Sequence, residues 1–107
     1  VRAIDEHLTN EIVHRVLGVV SPKRLILFGS AAVGAMTRDS DVDLLVVMAH
    51  PEHPLRVSAN VGDALRGLGL PFDVIVIAED RFEETKDVVG GIAFPANKYG
   101  KIIYEAA

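Results

Sequence analysis

Leu25-Ile26-Leu27-Phe28 runs straight into Gly29-Ser30, and two alternate acids, Asp41 and Asp43, open the next apolar run, Leu44-Leu45-Val46-Val47. Each run is short and continuously apolar, the pattern of a strand covered on both faces rather than of an amphipathic helix. The small Gly-Ser pair lets backbone N–H groups close on phosphate oxygens. Two carboxylates two positions apart on a strand point to one face and can share a cation. Together they suit a metal-bound nucleoside triphosphate. For the glycine turn to meet the acids, the end of the first strand must lie beside the start of the second. Those two strands therefore run antiparallel.

The flanking pattern completes the frame. Ile4, Leu8, Ile12 and Val16 recur every fourth position, with Val13, Leu17 and Val20 widening the stripe, which predicts a helix over residues 4–19. Ser21-Pro22 stops it. Residues 30–40 are small and polar, enough for one or two helical turns and a loop. Val42 to Met48 is the second strand. Val57, Val61, Leu65 and Leu68 mark a second long helix ended by Gly67 and Gly69, and Phe72 to Ile77 is a third strand. A weaker helix follows over Glu79 to Val89, then a loop with Gly90-Gly91 and Pro95, then a short edge strand from Lys101 to Glu105. A crossover helix between strands two and three makes them parallel. The expected fold is thus α/β (α+β), a mixed sheet with flanking helices.

Asp73 interrupts Phe72-Asp73-Val74-Ile75-Val76-Ile77, a segment apolar on both faces that reads as a central strand. An ionised carboxylate there is costly without compensation. Parallel pairing of strands two and three brings Asp73 beside Asp41 and Asp43. Three clustered carboxylates repel unless divalent cations neutralise them. Two-metal phosphoryl or nucleotidyl transfer is the chemistry that needs such a cluster.

Each signal also has a plainer reading. Gly29-Ser30 alone is a tight turn with a helix cap. Asp39-Ser40-Asp41 reads as a polar turn, which accounts for Asp39 and leaves it outside the site, but does not account for Asp43 inside the strand. Asp73 alone is a strand start bonded to backbone. His7 and His14 lie about 10 Å apart along a helix, too far to share a metal. His50 and His53 lack further ligands for zinc and read as solvated loop. Arg56 and Arg66 fit the wet face of the second helix, and Tyr99 and Tyr104 fit packing on the terminal strand.

Whole-chain properties exclude several classes. With 107 residues the chain makes one domain and leaves no room for a second module. A net charge of −4 argues against a protein built to grip a phosphate backbone, so strong nucleic-acid binding is not expected. No apolar stretch approaches the ~20 residues of a membrane span. Zero cysteines exclude disulfides and thiolate metal sites and fit a cytoplasmic protein.

Gly29-Ser30, the ten residues Ala31 to Ser40, Asp41-Val42-Asp43 and a later Asp73 on an apolar strand together resemble the DNA polymerase β-type nucleotidyltransferase superfamily. The size, the opening helix and the closing Gly100-Lys101-Ile102-Ile103-Tyr104-Glu105 are similar to its minimal nucleotidyltransferase (MNT) branch. The resemblance implies residues 1–107 as a single minimal nucleotidyltransferase domain with a mixed sheet of three to four strands. It implies two Mg²⁺ ions and ATP as substrate. Asp41 and Asp43 would hold both ions, Asp73 would hold the catalytic ion and help activate an acceptor hydroxyl, and Gly29 and Ser30 would bind the triphosphate. MNT proteins commonly act as antitoxins that transfer AMP from ATP to a tyrosine of a HEPN-domain ribonuclease toxin. The same role here implies a helical HEPN partner and a homo- or hetero-oligomer.

One departure stands out. The family loop usually reads G-S-R-A-R-G, whereas this chain has Ala31 and Val33 at the basic positions. Arg38, Lys23 and Arg24 are candidate replacements. Each lost charge-assisted phosphate contact costs about 1.5–3 kcal/mol. The alternative function is therefore a catalytically weak or inactive MNT-like module that neutralises its partner by contact. A phosphoacceptor receiver-like domain fits poorly, because its acids sit at strand C-termini and these precede their apolar runs.

Overall fold

The computed structural model describes residues 4–37 and 40–107. The first helix, α1 (Glu6–Leu17), starts where Asp5 accepts a hydrogen bond from the Leu8 N–H at 2.8 Å, so the cap rather than the apolar stripe sets its first residue. After it come β1 (Arg24–Phe28), the single turn α2 (Ser30–Val33), β2 (Val42–Met48) and α3 (Pro54–Ala64). The chain closes with β3 (Phe72–Ala78), α4 (Glu79–Thr85), α5 (Ala93–Tyr99) and β4 (Lys101–Glu105).

The sheet has four strands in the order β3-β2-β1-β4. β1 runs antiparallel to β2 and to β4, and β2 runs parallel to β3 across the α3 crossover. The antiparallel and parallel pairings both match the sequence expectation, and the sheet is mixed for the reason given there.

Side chains alternate between two cores. Leu25, Leu27, Val42, Leu44 and Val46 pack with Ile12 and Val16 of α1 and Val61 of α3. Ile26, Phe28, Leu45 and Val47 pack on the other face with Phe82 of α4 and Ala93 and Ala96 of α5. Helices on both faces explain why β2 reads as unbroken apolar sequence.

The same point corrects one expectation. β3 lies at the edge of the sheet, not its centre. Its two apolar faces report helices above and below and say nothing about lateral neighbours. The outer edge is partly answered by α3, whose Ser58 Oγ donates to the Val74 carbonyl at 2.8 Å. A second correction concerns Pro95, expected in a loop but found in the first turn of α5, where its missing N–H would have had no helical partner anyway. The helix expected to reach Val89 stops at Thr85, ahead of β-branched Val88-Val89 and Gly90-Gly91.

Arg15 ties α1 to the end of α3. Its guanidinium donates to the Ala64 carbonyl at 3.2 Å and the Arg66 carbonyl at 2.8 Å while pairing with Glu11 at 3.0 Å. A cation at carbonyls left unpaired by a helix end is favourable in both hydrogen bonding and dipole terms. Among the described residues no helix is long and apolar enough to cross a membrane.

Candidate functional site

Strand register builds the site. Asp43, the second residue of β2, has Phe28 as its partner on β1 and Asp73 as its partner on β3. Partners in register share a face, so Asp73 and Asp43 project side by side from the face that carries Leu45 and Ile75 further along. Asp41 lies two residues before Asp43 and immediately outside β2, and is exposed. Asp43 is half-buried and Asp73 exposed.

Asp43 carries the electrostatic strain of this arrangement. Burial, followed by the charges of Asp73 and Asp41, pushes its carboxyl above the ordinary carboxylate range. No ion pair among the described residues reaches any of the three acids. Nor are three or more acidic or histidine side chains among the described residues gathered closely enough to form a ready metal cage. Asp43 and Asp73 are thus neighbours in register and Asp43 lies in the field of Asp73 and Asp41, without the three acids forming closed ligation. The donor set still fits a hard divalent cation, because it is all carboxylate oxygen and its half-buried member has no ion pair among the described residues.

The Gly-Ser turn sits against the same acid. Gly29 has φ 65 and ψ −145, a conformation that side-chain-bearing residues avoid. A Cβ on Gly29 would collide with Asp43 Oδ2. Glycine is therefore required twice, for its backbone and for the space the carboxylate occupies. Ser30 begins α2, and Gly34 ends it in the left-handed region with its N–H on the Ser30 carbonyl.

Thr37, Ser40, Ala31 and Val33 complete the local picture. Ser40 Oγ accepts from the Thr37 N–H at 2.9 Å and lies 3.2 Å from Thr37 Oγ1, fixing the chain just ahead of Asp41. Sequence reasoning treated Ser40 only as turn material; the T-x-x-S spacing was the available signal. Ala31 is buried, 7% exposed, in the α1/α3 core, whereas Val33 is 64% exposed. The first of the two missing basic positions is thus committed to packing, and the second faces solvent.

The candidate replacements separate clearly. Arg24 starts β1 and Lys23 immediately precedes it, a strand length of about 16–20 Å from Gly29. Arg24 is also occupied, pairing with Glu83 at 3.5 Å and Glu105 at 3.3 Å above the Phe82 ring. Neither can serve the loop. Arg38 lies outside the described residues. His7, His14, His50 and His53 are all exposed, as are Arg56 and Arg66. Tyr104 packs against the α1/α3 core as expected, but Tyr99 is on α5 and 59% exposed. A cleft of about 420 Å³, lined by Gly62, Asp63, Leu65, Arg66, Leu70 and Phe72 among others, opens on the α1/α3 side of the sheet, the face opposite that of Asp43 and Asp73.

A family model described as a nucleotidyltransferase domain matches residues 9–99. A structure assigned as a nucleotidyltransferase from Sulfolobus solfataricus superposes with a TM-score of 0.62 at 22% identity, covering 92% of this chain and 78% of that one. A toxin–antitoxin structure with AMP-PNP gives 0.60 at 18% identity, with coverages of 92% and 73%. A mutant of the toxin–antitoxin complex MntA-HpeT gives 0.58 at 16% identity, again covering 92% and 73%. At these identities the likeness is one of fold. No curated protein matches the sequence.

Proposed function

This chain belongs to the nucleotidyltransferase domain family, and from that premise we propose that it transfers AMP from ATP to a tyrosine hydroxyl of a helical HEPN-type toxin, acting as its antitoxin. The observation that carries the reading is the pairing of Asp43 with Asp73 across β2 and β3, with the Gly29 turn pressed against Asp43. The toxin–antitoxin neighbours support the choice of partner.

Asp41, Asp43 and Asp73 are the residues that would hold Mg²⁺. Bound there, two ions would neutralise the three carboxylates and stabilise charge on the attacking and leaving oxygens of an in-line displacement. The backbone of Gly29 and Ser30 would cradle phosphate oxygens at the start of α2, with Arg38 the sequence candidate for a charge-assisted contact. The acceptor oxygen forms its bond to the α-phosphorus as the bond to pyrophosphate breaks. Asp73 would take the hydroxyl proton from an acceptor presented by another molecule, a role supported by its exposure at the start of an edge strand. An acceptor brought by a partner suits a cytoplasmic hetero-oligomer.

The test is incubation of the chain with ATP, Mg²⁺ and the helical protein encoded beside it. A mass gain of one AMP on a partner tyrosine is expected; an unmodified partner under conditions where an active relative modifies its own rejects the reading. The burial of Ala31 favours one second reading, neutralisation by contact with little turnover. Replacing Asp41 and Asp43 by Asn separates the two, since contact neutralisation survives that change.

A further inference from the structure

The loop after Gly29 lacks a cation at both positions where basic residues are expected, and Ala31 has no space for one. Arg38 of the same loop lies outside the described residues, so among the described ones positive charge for a triphosphate has to reach the site from another element. Among the described cations, Arg15, Arg24, Arg66 and Lys86 are each held by a carboxylate. Lys23 stands at the far end of β1, and Arg56 and Arg81 lie in the first turns of α3 and α4, which follow the ends of β2 and β3 opposite the acids.

Lys98 differs from all of these. No ion pair to it occurs among the described residues. Its Nζ lies 5.6 Å from the centre of the Phe94 ring and 5.4 Å from that of Tyr99, so two aromatic faces hold an exposed ammonium in place. The helix that carries it, α5, lies on the acid-bearing face, because Ala93 and Ala96 pack with Ile26, Phe28 and Leu45.

The C-terminus of α5 is fixed at the site end of the sheet. Gly100 donates its N–H to the Ala96 carbonyl at 3.0 Å and abuts the Ile26 side chain. Lys101 then pairs with Leu27, whose chain neighbour Phe28 is the partner of Asp43. The α5–β4 corner therefore reaches the same end of the sheet as Gly29, Asp43 and Asp73. Lys101 itself shares the face of Leu27, on the α1/α3 side, and is turned away from the acids.

We propose that Lys98 binds the phosphate oxygens of the nucleoside triphosphate, supplying from the α5–β4 corner the positive charge that the loop at Ala31 and Val33 does not. The assignment rests on the nucleotidyltransferase reading above and adds a specificity residue to it. An ammonium already oriented by two rings gives up little side-chain freedom on binding. Its exposure keeps the contact partly screened, so its effect falls at the low end of charge-assisted bonds.

The experiment is calorimetric titration of the full chain with a non-hydrolysable ATP analogue and Mg²⁺. Lys98→Ala is expected to weaken binding about tenfold, and Lys98→Arg to keep most of the affinity. Lys23→Ala removes the same net charge at the far end of β1 and is expected to stay within about twofold, which isolates local contact from general electrostatics. Circular dichroism should show both alanine variants folded, since both lysines are exposed. Wild-type binding with Lys98→Ala unchanged, or weakened no more than Lys23→Ala, overturns the assignment while leaving the family function intact. Absence of Mg²⁺-dependent binding by the wild type removes the underlying reading and this assignment with it.

Discussion

Asp43 Oδ2 occupies the space that a Cβ on Gly29 would need, so the end of β1 and the start of β2 are fitted to each other at a single atom. Gly29 also has φ 65 and ψ −145, where a side chain is strained whatever the space. Gly29→Ala is expected to destabilise the fold by about 1–3 kcal/mol and to displace the Asp43 carboxylate. Urea unfolding measures the first effect. Loss of Mg²⁺-dependent nucleotide binding in variant protein that remains folded measures the second.

Asp43→Asn should separate stability from function. Burial, Asp73 and Asp41 raise the folded-state pKa of Asp43 above its unfolded value. The group therefore favours the folded state fully at pH below the unfolded pKa, and that contribution is lost as pH rises through the folded pKa. At neutral pH, where the wild-type carboxylate is ionised among like charges, the amide is expected to raise the melting temperature in metal-free buffer. The gain should shrink as pH falls toward the ordinary aspartate range. Nucleotidyl transfer by the same variant should fall by more than about 100-fold, since even outer partners of a metal cost about 10–100-fold. A variant less stable than wild type at pH 7 without metal contradicts the electrostatic account.

Much of this arrangement was legible in the residues, and the reasons are specific. Gly29 and Asp43 had to meet, which forced antiparallel strands, and the crossover helix between Asp43 and Asp73 forced parallel ones; the structure has both. The edge position of β3 was hidden because helices cover both its faces, and hydropathy reports faces and not edges. Pro95 was misplaced because helix-breaking applies to interiors, and its site is the first turn of α5. Lys23 and Arg24 looked near the loop because sequence distance hides the length of the extended strand between them and Gly29. Lys98 carried no local signal at all. The α5–β4 corner that carries it comes to the site end of the sheet through β4 returning next to β1, a long-range pairing that periodicity does not encode.

Gly100 requires absence of a side chain for a different reason from Gly29. Its φ of −75 is open to any residue, but a Cβ would strike the Ala96 carbonyl and Ile26 Cγ2. Gly100→Ala is expected to cost about 1–3 kcal/mol by overpacking the junction of α5 with β1. Because α5 also carries Lys98, triphosphate affinity should fall with it. Chemical denaturation and nucleotide titration on one preparation check both. A variant as stable as wild type rejects the close packing described for this corner.

Restoring the basic loop tests how the departure at Ala31 and Val33 is tolerated. Ala31 is 7% exposed in the core shared by Met36, Val42 and Leu44, so Ala31→Arg must bury a guanidinium or push α2 off the sheet. Unpaired charge in such a place is costly, and about 3–5 kcal/mol of lost stability is expected. Val33 is 64% exposed at the end of α2, and Val33→Arg removes a surface apolar group without disturbing packing. Stability within about 0.5 kcal/mol of wild type is expected for it. If phosphates are held at the Gly29 turn, the new guanidinium should tighten Mg²⁺·ATP binding by up to about tenfold. The double variant Val33→Arg, Lys98→Ala should then recover affinity lost in Lys98→Ala, because either cation answers the same phosphate charge. Failure of Val33→Arg to change affinity in a folded protein that binds Mg²⁺·ATP places the triphosphate away from α2, and the phosphate role of Gly29 and Ser30 falls with it.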